Sequence, residues 1–321
     1  MNTLENQVSE TVPEPPRRPR SPGVAFLVSL RPRQWTKNLL LFAGLLFTLD
    51  QGQGTSQVIK ALAAFVVFSL LSSSIYLIND VVDRDRDRTH PKKCRRPIAS
   101  GELGVPTAVA ASIILGLFSL TAAFLLGFQF GLVALTYASL TVAYSFYLKN
   151  VVILDVLVLA SGFVLRAIAG AVVINVFISG WLILCTMMLA LFLALSKRKA
   201  ELLASIESGS MSSRRILTEY TGPMLDQMIV IVTSACLMSY ALYTFQSPAA
   251  KTHHYLMATI PFVLYGIFRY LYLAHRHDLG ESPDSVLLED RPMLINLLLF
   301  GAATALIVSH TLQRMLSTIS H

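Results

Sequence analysis

The chain has 321 residues, of which 54% are hydrophobic and only 14% charged, with a formal net charge of +7. That balance excludes an ordinary soluble domain and a disordered chain, and places the protein among polytopic membrane proteins. The positive excess is the ordinary signature of membrane topology and contact with anionic lipids, and gives no reason to invoke nucleic acid.

In chain order, residues 1–23 carry the run Pro13-Glu14-Pro15-Pro16-Arg17-Arg18-Pro19-Arg20 and lack the apolar core of a signal peptide, so they read as a disordered basic tail. Residues 24–321 then read as one membrane-embedded domain. Apolar windows of spanning length predict nine helices, near 36–50, 58–77, 107–126, 131–148, 152–174, 178–195, 225–246, 255–273 and 294–312, the first being short. Lys60, Lys251 and Arg314 fall on one side and Arg166 and Arg269 inside spans. The rest of the 26 lysines and arginines fall on the side of the amino terminus, which the positive-inside rule makes cytoplasmic. Cys94, Cys185 and Cys236 show no CxxC spacing, and neither a disulfide nor zinc is expected. Phosphate-loop, nucleophile-elbow and HExxH patterns are absent from the sequence.

The end of the second span carries the densest chemistry, Asn79-Asp80-Val81-Val82-Asp83-Arg84-Asp85-Arg86-Asp87. On a continuous helix Asp80, Asp83 and Asp87 fall at about 0°, 300° and 340°, whereas Asp85 falls near 140°, so three carboxylates share one face. Like charges that close call for a cation, and an oxygen-only set suits Mg²⁺. A solvated helix end neutralised by Arg84, Arg86 and Arg88 is the plainer alternative. The basic loop His90-Pro91-Lys92-Lys93-Cys94-Arg95-Arg96 follows at once, so that carboxylates would hold metal, metal would bridge phosphate, and Lys93 and Arg96 would take the remaining anionic oxygens. Read alone, that loop is also ordinary positive-inside punctuation.

Asn79-Asp80-x-x-Asp83-x-x-x-Asp87 followed by Lys93-x-x-Arg96-Pro97-Ile98-Ala99-Ser100-Gly101 resembles the first aspartate-rich motif of the UbiA prenyltransferase superfamily. The resemblance runs over residues 26–315. Arg31-Pro32-Arg33-Gln34-Trp35-Thr36-Lys37-Asn38, Tyr144-Ser145-Phe146-Tyr147-Leu148-Lys149, Ser161-Gly162-Phe163-Val164-Leu165-Arg166-Ala167 and Leu195-Ser196-Lys197-Arg198-Lys199-Ala200-Glu201 are similar to its decaprenyl-phosphate phosphoribosyltransferase branch. The resemblance implies an all-α polytopic fold of nine transmembrane helices around a central cavity with cytoplasmic capping loops. It further implies a bacterial plasma-membrane location with the active site on the cytoplasmic side, and Mg²⁺-dependent transfer of 5-phosphoribose from phosphoribosyl pyrophosphate to a polyprenyl phosphate. A role in supplying arabinan precursors to the cell wall comes from the branch resemblance alone, and a homo-oligomer is compatible with the sequence.

Where aromatic prenyltransferases carry a second acidic motif, this chain has Ser196-Lys197-Arg198-Lys199-Ala200-Glu201, which would attract a phosphate monoester better than a second metal. A plain cytoplasmic anchor is the competing reading.

The expected assignments follow. Asn79, Asp80, Asp83 and Asp87 form the metal and pyrophosphate group. Lys93 and Arg96 bind phosphates; Lys37, Lys149, Lys197 and Arg198 are candidates for the lipid phosphate or the ribose 5-phosphate. Asp155, just inside the fifth span, is a catalytic candidate or a polar helix contact. Tyr144 divides between packing and site, as does Tyr147. Glu201 holds a ribose hydroxyl or pairs with Lys197. Asp290 and Arg291, in Leu287-Leu288-Glu289-Asp290-Arg291-Pro292, are candidates for a lid. Arg166 is expected to tie helices together through a carboxylate or carbonyl, with a substrate contact as the alternative, and Arg269 to reach toward headgroups. An aromatic or quinone prenyltransferase using a prenyl diphosphate, and a non-enzymatic lipid or ion transporter, stay open as alternatives.

Overall fold

A computed structural model of the chain describes residues 20–46, 54–89, 93–207, 215–276 and 290–309, and all regular structure among them is helical. Residues 1–19 of the expected tail and residues 277–289 ahead of the last span lie outside the described residues. The chain is already structured at Pro22, where α1 (Pro22–Ser29) begins. Phe26, at its middle, and Leu30 just beyond it join Leu77, Ile98 and Leu103 in one apolar cluster beneath the acidic motif.

Seven described helices are long and apolar enough to cross a membrane: Thr55–Val82, Val105–Leu126, Leu154–Val173, Gly180–Ile206, Gly222–Gln246, Tyr255–Ala274 and Arg291–Val308. The protein is therefore a multi-pass membrane protein. The short helix Ala43–Leu46 is α2, Thr55–Val82 is α3, Arg84–Arg88 is α4 and Pro97–Ser100 is α5. Val105–Leu126 is α6, Phe128–Phe146 is α7, Leu154–Val173 is α8, and Gly180–Glu207 is α9. Gly222–Gln246 is α10, Pro248–Thr252 is α11, Ile260–Arg276 is α12, and Arg291–Val308 is α13.

α3 is the central element. At about 1.5 Å per residue its 28 residues span about 42 Å, more than the roughly 30 Å of hydrocarbon, so its last turns carry Asn79 and Asp80 past the apolar layer. Its buried Ser72 and Ser73 donate back to Phe68 O (2.7 Å) and Ser69 O (2.8 Å), which lets hydroxyls sit in a dry helix without unpaired protons. Ser112 on α6 donates to Ser74 O across the interface (2.7 Å), and small residues there let the two helices approach closely.

Two predicted spans take other forms. In place of a helix at 36–50, Pro32–Phe42 is an 11-residue 3-10 helix continued by α2, with residues 47–50 outside the described residues. Runs of 3-10 helix beyond three or four residues are uncommon, and tertiary contacts fix this one. Asn38 is fully buried and donates to Ser69 Oγ (3.0 Å), while Trp35 donates to Ser73 Oγ (3.1 Å). Gly170 of α8 lies directly under the segment: a Cβ there would sit 2.0 Å from Leu41 O. The window 131–148 is α7, a 19-residue helix that is not among the seven. α9 runs on well beyond the predicted end at 195, so Lys197 to Glu201 belong to a continuous helix instead of a loop.

Arg166, buried in α8, donates to Asn38 Oδ1 (2.7 Å), Gly162 O (2.8 Å) and the Tyr137 hydroxyl (2.7 Å), with its guanidinium 4.7 Å from the centre of the Tyr137 ring. The expected helix-to-helix role holds, through neutral oxygens. A larger residue at Gly170 must push the 3-10 segment away from this anchor. Gly170→Val is expected to destabilise the protein by at least about 1–3 kcal/mol, the ordinary cost of overpacking, read as a lower unfolding temperature in detergent.

Candidate active site

The acidic motif does not lie on one continuous helix. α3 ends at Val82; Asp83 turns the chain at φ −88° and ψ 2°, its N–H still donating to Asn79 O (2.9 Å), and α4 restarts at Arg84. This break corrects the single acidic face expected from the periodicity. Asp80 and Asp87, both buried, converge on one guanidinium: Arg96 Nη1 lies 3.1 Å from Asp80 Oδ1 and 2.6 Å from Asp87 Oδ2. Asp80 Oδ1 also accepts from Arg31. Asp83 points elsewhere and accepts from Lys149 Nζ (2.7 Å), in the turn between α7 and α8.

Local sequence explains how Arg96 arrives there. It is the residue before Pro97 and takes the extended conformation (ψ 140°) that proline imposes on its predecessor. Pro97 then opens α5, and Gly101 at φ 86° closes it. Arg88 Nε donates to Ala99 O (3.1 Å), tying α4 to α5 so that Asp87 and Arg96 face each other. Lys93 is half-buried on the 3-10 turn Lys93–Arg95, whereas Arg95 is exposed. Lys37 is half-buried on the Pro32–Phe42 segment, and Asn79 is half-buried in the last turn of α3.

The oxygen-only donor set at Asp80 and Asp87, with Asn79 adjacent, fits a hard divalent cation: a positive group already bridges the two carboxylates. Among the described residues no three acidic, histidine or cysteine side chains converge as a ready-made metal cage. Beside the Asp83–Lys149 pair a cavity of about 350 Å³ opens, with Asp85, Arg86, Ser145 and Asn150 as its other polar walls.

A second cluster lies toward the C-terminal end of α9. Asp155 is completely buried in the first turn of α8, and both its oxygens are used: Oδ2 accepts from Arg198 Nε (2.7 Å) and Oδ1 from the Tyr220 hydroxyl (2.8 Å). Arg198, 2% exposed, also donates to Glu201 Oε2 (2.8 Å) and the Tyr144 hydroxyl (3.4 Å). Lys199 pairs with Asp226 (2.6 Å), and Lys197 is half-buried one residue before Arg198. Glu201 therefore pairs with Arg198. Tyr144 reaches this cluster, whereas Tyr147 is largely exposed. Tyr144 and Lys149 both belong to the end of α7 and its turn, so that stretch links the two clusters.

Asp290 and Arg291 join neither cluster. Asp290 caps α13, accepting from Met293 N–H (2.9 Å), and its carboxylate holds Arg269 through two bonds of 3.1 and 2.9 Å. Arg269 thus has a protein partner in place of the expected reach to headgroups. Arg291 is exposed, and the rest of the proposed lid, Leu287 to Glu289, lies outside the described residues.

Sequence reading assigned no role to Arg31 or Tyr220. Arg31 opens the segment of residues 31–38 that resembles the phosphoribosyltransferase branch, but nothing in its spacing ties it to Asp80, 49 positions away. Tyr220 sits in the connection between α9 and α10, where no period marks it. Its hydroxyl accepts the N–H of Ile153 (2.8 Å), a β-branched residue held at φ 70°, while donating to Asp155. Burial pushes the Tyr220 phenol up to about 12, so it remains a proton donor through the neutral range.

The UbiA prenyltransferase family profile matches residues 39–308. The decaprenyl-phosphate phosphoribosyltransferase of Mycobacterium tuberculosis is 34% identical over 284 residues, 86% of this chain and 93% of that one. The enzyme of the same name from Corynebacterium glutamicum is 34% identical over 283 residues, 86% of this chain and 84% of that one. Among solved structures, a UbiA homolog from Archaeoglobus fulgidus bound to GPP and Mg²⁺ matches with a TM-score of 0.69 and 20% identity, covering 89% of this chain and 99% of that chain.

Removing a partner from the buried Asp155 pair should cost folded protein before it costs chemistry. Asp155→Asn is expected to lose about 3–5 kcal/mol and Tyr220→Phe about 1–3 kcal/mol, measured by thermal unfolding in detergent. Because the Tyr220 pKa is raised on folding, its stabilising contribution is whole below about pH 10 and fades as pH rises toward about 12. Tyr220→Phe should lose that alkaline step in unfolding temperature.

Proposed function

The chain belongs to the UbiA prenyltransferase family, and we propose that it transfers 5-phosphoribose from phosphoribosyl pyrophosphate to a polyprenyl phosphate, releasing pyrophosphate. The observation that carries this reading is the electrostatic character of the inner end of α9. The acids gathered there, Asp155 from α8, Glu201 and Asp226 from α10, all spend oxygens on α9 cations, the first two on Arg198 and the third on Lys199, and Lys197 adds a further positive charge. A second metal-bound diphosphate would find few available carboxylates there, whereas a lipid phosphate monoester would find cations. The opposite cluster, Asp80 with Asp87, supplies a place for one metal-bound diphosphate. Relatives that span most of this chain carry the matching name.

In this reading Asp80 and Asp87, with Asn79 adjacent, would hold Mg²⁺, whose charge would offset that gathering on the leaving pyrophosphate, while Asp83 is turned to Lys149. The chain's own residues do the rest. Arg96 and Lys93 take donor phosphate oxygens, and Lys37, Lys149, Lys197 and Arg198 are the candidates for the ribose 5-phosphate and the lipid phosphate, the last two assigned here to the lipid. The acceptor oxygen is already anionic near neutral pH, so no general base is required, and the protein's contribution is placement. Asp155, buried and doubly bonded, serves as the positioning residue for Arg198. Direct attack inverts the configuration at C1 of the sugar.

We further place the 3-10 segment with α2, and α7, as the two spans that complete nine around a central cavity. The amino terminus and both clusters lie on the cytoplasmic side of a bacterial plasma membrane, where the lysines and arginines concentrate.

Purified protein given Mg²⁺, labelled phosphoribosyl pyrophosphate and polyprenyl phosphate should yield a lipid-linked phosphoribose. Product arising solely from a prenyl diphosphate and an aromatic acceptor would replace this reading. Within the assay, Arg96→Ala should lower kcat/KM at least about tenfold, which is about 1.4 kcal/mol, while exposed Arg95→Ala should stay within about twofold.

A further inference from the structure

We infer that Arg31 is a built-in counter-cation of the acidic motif. It holds Asp80 while the metal is away, and gives it up when metal and diphosphate arrive together, so that its guanidinium passes to a phosphate oxygen. The inference rests on the proposed function in taking a metal diphosphate as the donor group.

Charge balance at the mouth is the starting point. Asp80, Asp83 and Asp87 bear three negative charges, and Arg31, Arg96 and Lys149 bear three positive ones, each within an ion pair of that set. Asp85 lies outside it and pairs with Arg88 at 3.8 Å. A divalent ion entering alone would leave this neutral group with an excess of two positive charges, in a place where Asp80 and Asp87 are nearly closed off from water. Unlike charges close together in a poorly solvated site are stabilising and like charges costly, so the bare ion should bind weakly. A diphosphate brings the missing negative charge, and the displaced arginines regain anionic partners in its oxygens.

Arg31 is placed for this exchange without moving the backbone. Its φ of 53° turns the chain sharply between α1 and the 3-10 segment. On either side of it the chain is tied to α3: Ser73 Oγ shares its one proton between Ser69 O and Leu30 O (2.8 Å each) and receives the Trp35 indole N–H (3.1 Å). Ser73 stands seven residues, about two helical turns, before Asp80 on α3. The guanidinium lies 5.0 Å from the centre of the Tyr76 ring, a face along which a planar cation can pivot. With its side chain 24% exposed, Arg31 reaches the mouth from a fixed base, and side-chain rotation alone releases Asp80.

The test uses the full chain in nanodiscs and Mn²⁺ as a spin-visible stand-in for the metal, titrated by electron paramagnetic resonance with and without inorganic pyrophosphate. Wild type should bind Mn²⁺ weakly alone and markedly tighter with pyrophosphate. Arg31→Gln should bind Mn²⁺ alone roughly tenfold tighter, since one competing charge is gone, and should lose most of the pyrophosphate enhancement. Arg31→Lys, which keeps the charge, should return toward wild type and reports that the fold tolerates the position. Mn²⁺ affinity in Arg31→Gln equal to or weaker than wild type, with Arg31→Lys folded, overturns the inference. The readout needs no acceptor lipid and no turnover. A failure to make lipid-linked phosphoribose would therefore count against the proposed reaction alone, and a failure of the Mn²⁺ result against Arg31 alone.

Discussion

One guanidinium between two buried carboxylates organises the polar end of α3. Arg96 meets Asp80 and Asp87 at once, and the chain on both sides is shaped to bring that about. The helix break at Asp83 swings Asp87 back over Asp80; Pro97 fixes the extended approach of Arg96; and the Arg88 to Ala99 bond closes the loop. Without the cation, two buried carboxylates facing each other would repel, and the turn that joins α3 to α5 would lose the ion pairs that draw Asp87 toward Asp80.

The second cluster follows a different logic. Asp155 is sealed from water and bonded at both oxygens, so its charge serves Arg198 and not a reacting group. Arg198 in turn spreads its donors over Asp155, Glu201 and Tyr144. That anchoring leaves the neighbouring α9 cations on a rigid helix, and the strained Ile153 is held in register by Tyr220. The end of α7 and its turn touch both clusters, Tyr144 on one and Lys149 on the other. A short stretch of chain therefore fixes the separation between the place where a diphosphate would leave and the place where a lipid phosphate would wait, a distance that direct displacement at a sugar carbon demands be held closely.

How much of this was legible in the sequence depends on the range of the interaction. The long apolar helices were, because burial in lipid leaves an unbroken hydrophobic run, and α3, α6, α8 and α10 fall where those runs lie. The acidic motif and Arg96 were also legible, since acid and base stand within one short stretch. The helical wheel failed at Asp83, because periodicity assumes continuity and carries no mark of the break. Asp155 was visible as an acid in a span, yet its partners Arg198 and Tyr220 lie 43 and 65 positions away. Asp290 and Arg269 were each noticed, but not as partners of one another. The first segment misled for a related reason: its hydrophobicity predicts a span, while its 3-10 winding comes from contacts with α3 and α8.

Those contacts give the intramembrane arginine its place in the whole. A cation at the depth of Arg166 is expensive in hydrocarbon, and its partners here are neutral oxygens and aromatic faces instead of an acid. Such an arrangement is retained only if the bonds it makes accomplish something that an apolar residue could not. One of them is to Asn38, which also holds Ser69, so Arg166 joins α8 to α3 through the 3-10 segment. That segment is rigid at Trp35 and begins at Arg31, the residue laid on Asp80. The arginine inside the membrane is thus joined, through Asn38 and the 3-10 segment, to the same stretch of chain that carries Arg31 to Asp80.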